Sequence, residues 1–366
     1  MAMNDQPLPA LTTFYVYLTS GCNCACRHCY YISKDAKQGS SGQVLAPDLL
    51  RSAITQALPL GLHHLKWTGG EPTLHPAFVD FLELQAEFGL GASLETNGLL
   101  VDEKLAARLV KAGVDQVSVS VDGARPATHD RIRGVSGGFK RTIHGIRALT
   151  AHGYRPEMIL TLQRDNVAEL EEYLTLAAEL GAGAVKLNLL QPFLRGAALY
   201  EEGEALRVEE VLGLAEKLNS KPVLEDTLLV SLDVPLAFRP LSRIVSGSQS
   251  GVCNILHVLG VLPNGEYALC GAGQHEPELM MGQVADQPLA RLWQQHPLLQ
   301  SLRAGLPQQL QGICGRCLMK AACKGSCVAA NYQAGGDLFA PYWFCQQAMD
   351  AGLFPISRLA KKVSPS

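Results

Sequence analysis

Cysteine carries the first chemical signal in this sequence. The chain has 11 cysteines, and they are placed unevenly: Cys22, Cys24, Cys26 and Cys29 fall within eight residues, the following two hundred residues have none, and seven lie between Cys253 and Cys345. Cys22, Cys26 and Cys29 have the spacing C-x3-C-x2-C. Three thiolates on one tight loop suit a cubane iron–sulfur cluster with one iron left open. A closed zinc site would need Cys24 as its fourth ligand. Zinc ligand pairs normally have two to four residues between them, and the single-residue separations of Cys22, Cys24 and Cys26 cramp chelation by all of them. Cys24 therefore reads as a bystander thiol. In the second field, Cys253 and Cys270 flank Gly265. Cys314, Cys317, Cys323 and Cys327 follow as C-x2-C-x5-C-x3-C, and Cys345 comes after a seventeen-residue gap. C-x2-C pairs also build zinc ribbons, so a ribbon of Cys314/Cys317 with Cys323/Cys327 stays open on spacing alone.

Composition limits the setting. At 366 residues the chain has room for one large enzyme domain and a smaller one. With 47% hydrophobic and 18% charged residues it can bury a sizeable core, which excludes wholesale disorder. A net charge of -3 offers no electrostatic case for nucleic acid or an anionic membrane. No apolar run approaches the roughly 18 residues of a membrane span. The opening MAMNDQPLPALTTF lacks a basic n-region and an apolar h-region, so no secretory signal is read and a cytoplasmic protein is expected. In that compartment structural disulfides are rare, which again points the cysteines to metal or redox chemistry.

The elements that must position these residues alternate. TTFYVYLTS, HHLKWTGG, GASLETNG, DQVSVSVDG, RPEMILTLQ and GAVKLNLLQP read as short strands. Helical spacing of apolar residues occupies 46–58, 76–87, 102–112, 139–152, 167–180 and 207–218. Six β-α units imply a parallel sheet with right-handed crossovers. The first cysteine cluster, TGGEP, ETNG, SVDG and NLLQP all follow strands. A site drawn from the carboxyl ends of many strands favours a partial (β/α)6 barrel over a doubly wound sheet, whose ligands gather at one switch point. The expected organisation is a barrel over 10–235, a small domain over 236–350 and a tail over 351–366, frayed at KKVSPS. Beyond residue 235 the β-α rhythm stops, and the chain reads as loop-rich, with clusters in place of an apolar core.

The C-x3-C-x2-C loop after the first strand resembles the signature of the radical S-adenosylmethionine (radical SAM) superfamily. Thr68-Gly69-Gly70-Glu71-Pro72 after the second strand resembles that family's GGEP. Glu95-Thr96-Asn97-Gly98, Ser120-Val121-Asp122-Gly123 and His129-Asp130-Arg131-Ile132-Arg133-Gly134 are further matches. The late cysteines resemble the SPASM extension of a subset of these enzymes. The resemblance implies S-adenosylmethionine and three [4Fe–4S] clusters. One is held by Cys22, Cys26 and Cys29. An auxiliary cluster is held by Cys253, Cys270 and Cys327, with its fourth iron open or bound by His257 or substrate. A second auxiliary cluster is held by Cys314, Cys317, Cys323 and Cys345. Full loading gives about twelve irons per chain. Contacts to S-adenosylmethionine are implied for His28, Gly69, Gly70, Glu71, Asn97, Ser120 and Arg133. Taken alone, Ser120 reads equally as a strand-end hydroxyl and Arg133 as a solvated charge. His28 departs from the aromatic residue usual before the third cysteine. The glycines of GGEP let backbone approach a ligand closely.

By the same resemblance, one electron releases a 5′-deoxyadenosyl radical that takes hydrogen from a substrate, and the auxiliary clusters favour net oxidation. The expected substrate is a ribosomally made peptide that is cross-linked or dehydrogenated. A separate leader-recognition protein is expected to present it, and a flavodoxin- or ferredoxin-type protein to supply the electron. The same chemistry on a tetrapyrrole or sugar is the alternative, and a non-catalytic, metal-stabilised binding protein is a third. Gly271 stands after Cys270 where sulfatase-maturing members carry a basic aspartate, which argues against that activity. No catalytic residue is assigned from the sequence.

Overall fold

The computed structural model describes residues 8–31, 42–220, 228–245 and 252–360. The expected fraying of KKVSPS falls on 361–366, outside the described residues. Strands β1 (Thr13–Tyr17), β2 (His64–Thr68), β3 (Gly91–Thr96), β4 (Val114–Ser120), β5 (Glu157–Leu162), β6 (Ala184–Leu189) and β7 (Leu229–Leu232) pair in parallel and in sequence order. Strand β8 (Val258–Val261) then returns to pair in parallel with β1, and β9 (Glu266–Ala268) and β10 (Met280–Gln283) extend that edge antiparallel. The sheet order is β10-β9-β8-β1-β2-β3-β4-β5-β6-β7. The six expected strands are present, each followed by a helix, and the short β7 adds a seventh to the parallel run.

The strands alternate, although strands covered on both faces usually read as continuous apolar runs. In β2, Leu65 and Trp67 are fully buried while Lys66 is not; β3 buries Leu94 between Ser93 and Glu95; β6 buries Val185 and Leu187 around Lys186. Successive side chains point to opposite faces. The apolar set packs against Leu50, Ile54, Phe81, Leu109, Ile146, Leu149 and Tyr173 of the surrounding helices. The polar set (Tyr15, Lys66, Glu95, Lys186 and Asn188 among it) lines a cavity. One periodicity therefore makes both the shell and a hollow interior.

Local signals fix the helices. Helix Glu103–Ala112 begins where the Asp102 carboxylate accepts from the Leu105 N–H at 2.8 Å, and ends at Gly113 with φ +73°. The buried Trp67 Nε1 donates to Gln85 Oε1 at 3.1 Å. The Gln85 amide in turn donates to the Leu90 and Ala112 carbonyls at 3.1 Å each, so a polar group in the core is fully engaged.

Beyond residue 252 the expectation that clusters stand in place of an apolar core does not hold. Helices Leu289–Gln295 and Pro297–Gly305 bury Leu289, Leu292, Trp293, Leu298, Leu299 and Leu302, and helix Trp343–Asp350 buries Phe344 and Ala348. These side chains join the same apolar cluster as the barrel's outer face. Their helical spacing is in the sequence, but short helices separated by glycine and cysteine do not sustain a long periodic signal. Trp67→Ala, which removes a fully buried ring and its hydrogen bond, is expected to lower stability by about 3–5 kcal/mol, read by urea unfolding of the anaerobic protein.

Candidate functional site

The cysteine loop leaves β1 and is clamped by backbone on two sides. On one side Gly70 N–H donates to the Thr19 carbonyl at 2.7 Å and Glu71 N–H to the Gly21 carbonyl at 2.9 Å. A Cβ on Gly69 (φ +135°) would stand 2.7 Å from the Thr19 oxygen, and one on Gly70 only 2.0 Å from the Gly21 oxygen. The two glycines of TGGEP thus answer first to the cysteine loop's own backbone, a reason for them beyond close approach to a ligand. On the other side Ala25 N–H donates to the Arg133 carbonyl at 2.9 Å and Arg27 N–H to that of Ile132 at 3.1 Å. Gly134, at φ +63°, ends helix Pro126–Arg133 where a Cβ would lie 2.8 Å from the Ala25 oxygen.

Glu71 locks this arrangement to β3. Its buried carboxylate accepts from Thr73 N–H (3.1 Å), Thr73 Oγ1 (2.6 Å), Thr96 Oγ1 (2.7 Å) and Asn97 N–H (2.7 Å). Burial pushes its pKa up and these donors oppose the rise. Protein donors surround the Glu71 side chain, so it braces the loop rather than reaching freely into the cavity. Asn97 Nδ2 donates to Asn23 Oδ1 at 2.7 Å and faces the Cys22 sulfur at 3.9 Å.

Arg133 is buried, which removes the reading as a solvated charge. Its Nε lies 3.0 Å from Asp122 Oδ2 and its Nη1 3.2 Å from Cys26 Sγ. His28 Nε2 lies 3.6 Å from the same Asp122 oxygen, and its Nδ1 meets Gln163 Nε2 at 3.1 Å. Burial works against the Asp122 charge, but Arg133 and His28 hold its carboxyl below the ordinary value. The neighbouring Cys24 thiol, with Arg133 and His28, favours the Cys26 thiolate against the cost of burial. Asp122 was visible in the sequence only as part of SVDG; here it organises both His28 and Arg133.

Cys22, Cys26, Cys29, His28, Gly69, Gly70, Glu71, Asn97, Ser120 and Arg133 all line one cavity of about 360 Å³, so every residue expected to meet S-adenosylmethionine is brought to one place. Cys24 lies buried beside them, against Leu99. All eleven cysteines are free thiols. Cys314, Cys317, Cys323 and Cys345 line a second, apolar cavity with Ile313, Met319 and Phe354. Cys253, Cys270 and Cys327 are mutual neighbours: burial pushes the thiols of Cys253 and Cys270 up, and the adjoining thiols add to it. His257 Nδ1 lies 3.0 Å from the Ala10 carbonyl oxygen. Among the described residues no group of three His, Cys, Asp or Glu side chains converges tightly enough for a single metal ion. The three cysteine sets fit polynuclear clusters better than zinc, whose ligands crowd one centre.

The loop after Cys29 is pinned to the loop after Cys270. The Tyr31 carbonyl accepts from Gln274 Nε2 and from His275 Nε2, and the Tyr17 and Tyr31 rings stack at 5.0 Å. A Cβ on Gly271 would fall 2.1 Å from the Tyr17 ring. Tyr17 therefore fills the space that a side chain after Cys270 would need.

Lys66, Lys186 and Asp233 are not singled out by the sequence, and Glu95 and Asn188 appear there only as parts of ETNG and NLLQP; all five line the main cavity. Their signal was a charged or amide residue at alternate positions of otherwise apolar strands. Lys66 Nζ lies 2.6 Å from Glu95 Oε1 and 5.2 Å above the Tyr15 ring. Burial disfavours both charges, and the pairing restores them.

Residues 16–177 match the family model described as the radical SAM superfamily. An AdoMet-dependent heme synthase of Methanosarcina barkeri is 29% identical over 345 residues, covering 90% of this chain and 94% of its own length. Mycofactocin maturase MftC of Mycobacterium ulcerans is 28% identical over 338 residues, covering 91% and 87%. PqqA peptide cyclase of Gluconobacter oxydans is 26% identical over 305 residues, covering 83% and 81%. Streptococcus suis SuiB bound to its precursor peptide SuiA superposes with a TM-score of 0.73 at 14% identity, over 93% of this chain and 76% of SuiB. The AdoMet-bound structure of anSMEcpe gives 0.72 at 19%, over 93% and 95%. These structures share the fold. Gly70→Ala, which drives a methyl into the Gly21 carbonyl, is expected to lower the iron bound at the amino-terminal loop, measured by iron assay and EPR against the unaltered protein.

Proposed function

We propose that this chain, which contains a radical SAM domain over residues 16–177, is an enzyme that cleaves S-adenosylmethionine and oxidatively modifies a ribosomally made peptide by cross-linking or dehydrogenation. The observation that carries the cleavage is the convergence of Cys22, Cys26 and Cys29 on one cavity with Gly69, Gly70, Asn97, Ser120 and Arg133. A [4Fe–4S] cluster held by those three cysteines supplies, when bound, the electron that splits S-adenosylmethionine to methionine and a 5′-deoxyadenosyl radical. The protein's own residues do the remaining work. The two backbone seams hold the loop in place. Arg133, fixed by Asp122, places a buried cation beside Cys26. Ser120 and His28 border the space for the ribose and adenine. The strand interiors keep the reaction away from water and stray hydrogen donors.

Net oxidation balances without a further oxidant. S-adenosylmethionine and a peptide that loses two hydrogens become methionine, 5′-deoxyadenosine, the modified peptide and a proton, and the priming electron is regenerated. The Cys253/Cys270/Cys327 set, completed by a cluster, is suited to receive that electron, and the Cys314/Cys317/Cys323/Cys345 set to hold the second auxiliary cluster. A leader-recognition protein and a flavodoxin- or ferredoxin-type donor complete the proposal.

The names of MftC, PqqA peptide cyclase and the SuiB–SuiA complex support a peptide substrate. The heme synthase relative supports a second reading, a tetrapyrrole. Among the described residues no helix is long and apolar enough to cross a membrane.

Incubating the anaerobically reconstituted enzyme with a small peptide encoded in a neighbouring reading frame, its leader-binding partner and a reductant is expected to lower the peptide's mass by two hydrogens. An unchanged peptide alongside an altered tetrapyrrole would establish the second reading. Cys26→Ala is expected to abolish 5′-deoxyadenosine release. Cys317→Ala should cut product formation at least tenfold while leaving uncoupled release detectable, both read by chromatography.

A further inference from the structure

Strand β6 carries an unassigned pair of side chains. Lys186 and Asn188 stand at alternate positions and both face the main cavity. The other cations of that cavity are committed. Lys66 is paired with Glu95, Arg133 with Asp122 and Cys26, and Arg195 Nη1 donates to the Cys26 carbonyl at 3.2 Å. Lys186 differs: among the described residues its side chain has no ion pair or hydrogen bond, and its charge favours the ionised carboxylates of Glu95 and Asp233, although burial holds the Asp233 carboxyl above its ordinary value. The Asp233 carboxylate lies a long 3.9 Å from Arg239. Two positions along β6, Asn188 Oδ1 is buried without a partner. A buried acceptor left unsatisfied costs stability, so the site is incomplete as it stands.

We propose that Lys186 and Asn188 bind the carboxyl-terminal residue of the substrate peptide, the ammonium taking its carboxylate and the Asn188 oxygen its amide N–H. Lys186 and Asn188 are two residues apart on one strand face, and the flexible lysine stem lets the ammonium close on a carboxylate whose neighbouring N–H, one Cα away, reaches the Asn188 oxygen. A propionate offers the carboxylate but no neighbouring N–H. The site lies in the cavity lined by Cys22, Cys26 and Cys29, so a residue anchored there stands where the radical is made. This inference rests on the peptide reading and narrows it to the chain terminus.

The test is binding rather than turnover. Holoenzyme is titrated with N-acetyl-dialanine as the free acid, with its carboxamide, and with coproporphyrin III. The free acid is expected to bind roughly ten- to hundredfold more tightly than the amide. Lys186→Met should erase that preference, Lys186→Arg should keep it, and Asn188→Asp should reverse it by placing an anion against the carboxylate. Iron content checks that each variant is folded, and Asn188→Asp keeps the proposal testable if Lys186→Met fails that check. Equal binding of acid and amide, a preference that survives Lys186→Met, or loss of S-adenosylmethionine binding in that variant would each overturn the proposal. So would Lys186-dependent binding of coproporphyrin alone. An acid preference that depends on Lys186 beside an encoded peptide left unmodified would sink the peptide-modification reading and leave the carboxylate site standing.

Discussion

The structure depends on one backbone constraint: the loop from Thr19 to Cys29 is wedged between Gly69-Gly70 and Gly134. Peptide groups of the three segments bond directly, at separations that leave no room for a Cβ. Thiols on an unsupported loop would lose much of their binding energy to ordering the chain. Here the sheet supplies that order. Strands β1 and β2 are paired over five residues up to Tyr17 and Thr68, so the cysteine loop and the glycine turn leave the sheet side by side.

From that seam the chemistry spreads inward. Glu71 ties the glycine turn to β3, Asp122 ties β4 to Arg133 and His28, and Arg133 brings its charge to Cys26. Each link starts from a segment that follows a strand, so the sheet reads as a coordinate frame for the site. The alternation of apolar and polar residues does the complementary work, sealing the outer face against helices and leaving a polar interior in which a substrate can be held.

Much of this was legible in the sequence because its signals are local. The amino-terminal cysteine spacing, TGGEP and each single strand or helix need fewer than about 15 residues to be recognised, and helix limits such as Asp102 and Gly113 declare themselves by cap chemistry. What stayed hidden depends on residues far apart in the chain. The clash of Gly70 with Gly21 spans the whole first β-α unit. The role of Asp122 needs His28 and Arg133 around it, and the packing of Tyr17 on Gly271 joins the two ends of the chain. The apolar content of the carboxyl-terminal third was missed for another reason: its helices are short, and their buried leucines and Trp293 are meaningful only against the barrel they cover.

The central claim is that the amino-terminal loop presents three thiolates and leaves one iron open for S-adenosylmethionine. Its most direct measurement is pulsed EPR of the reduced, reconstituted protein with S-adenosylmethionine labelled by 15N and 17O at the amino acid end. The account requires both labels to couple to the amino-terminal cluster, and the coupling to vanish in Cys26→Ala. A cluster signal that is unchanged by the labelled cofactor would contradict it.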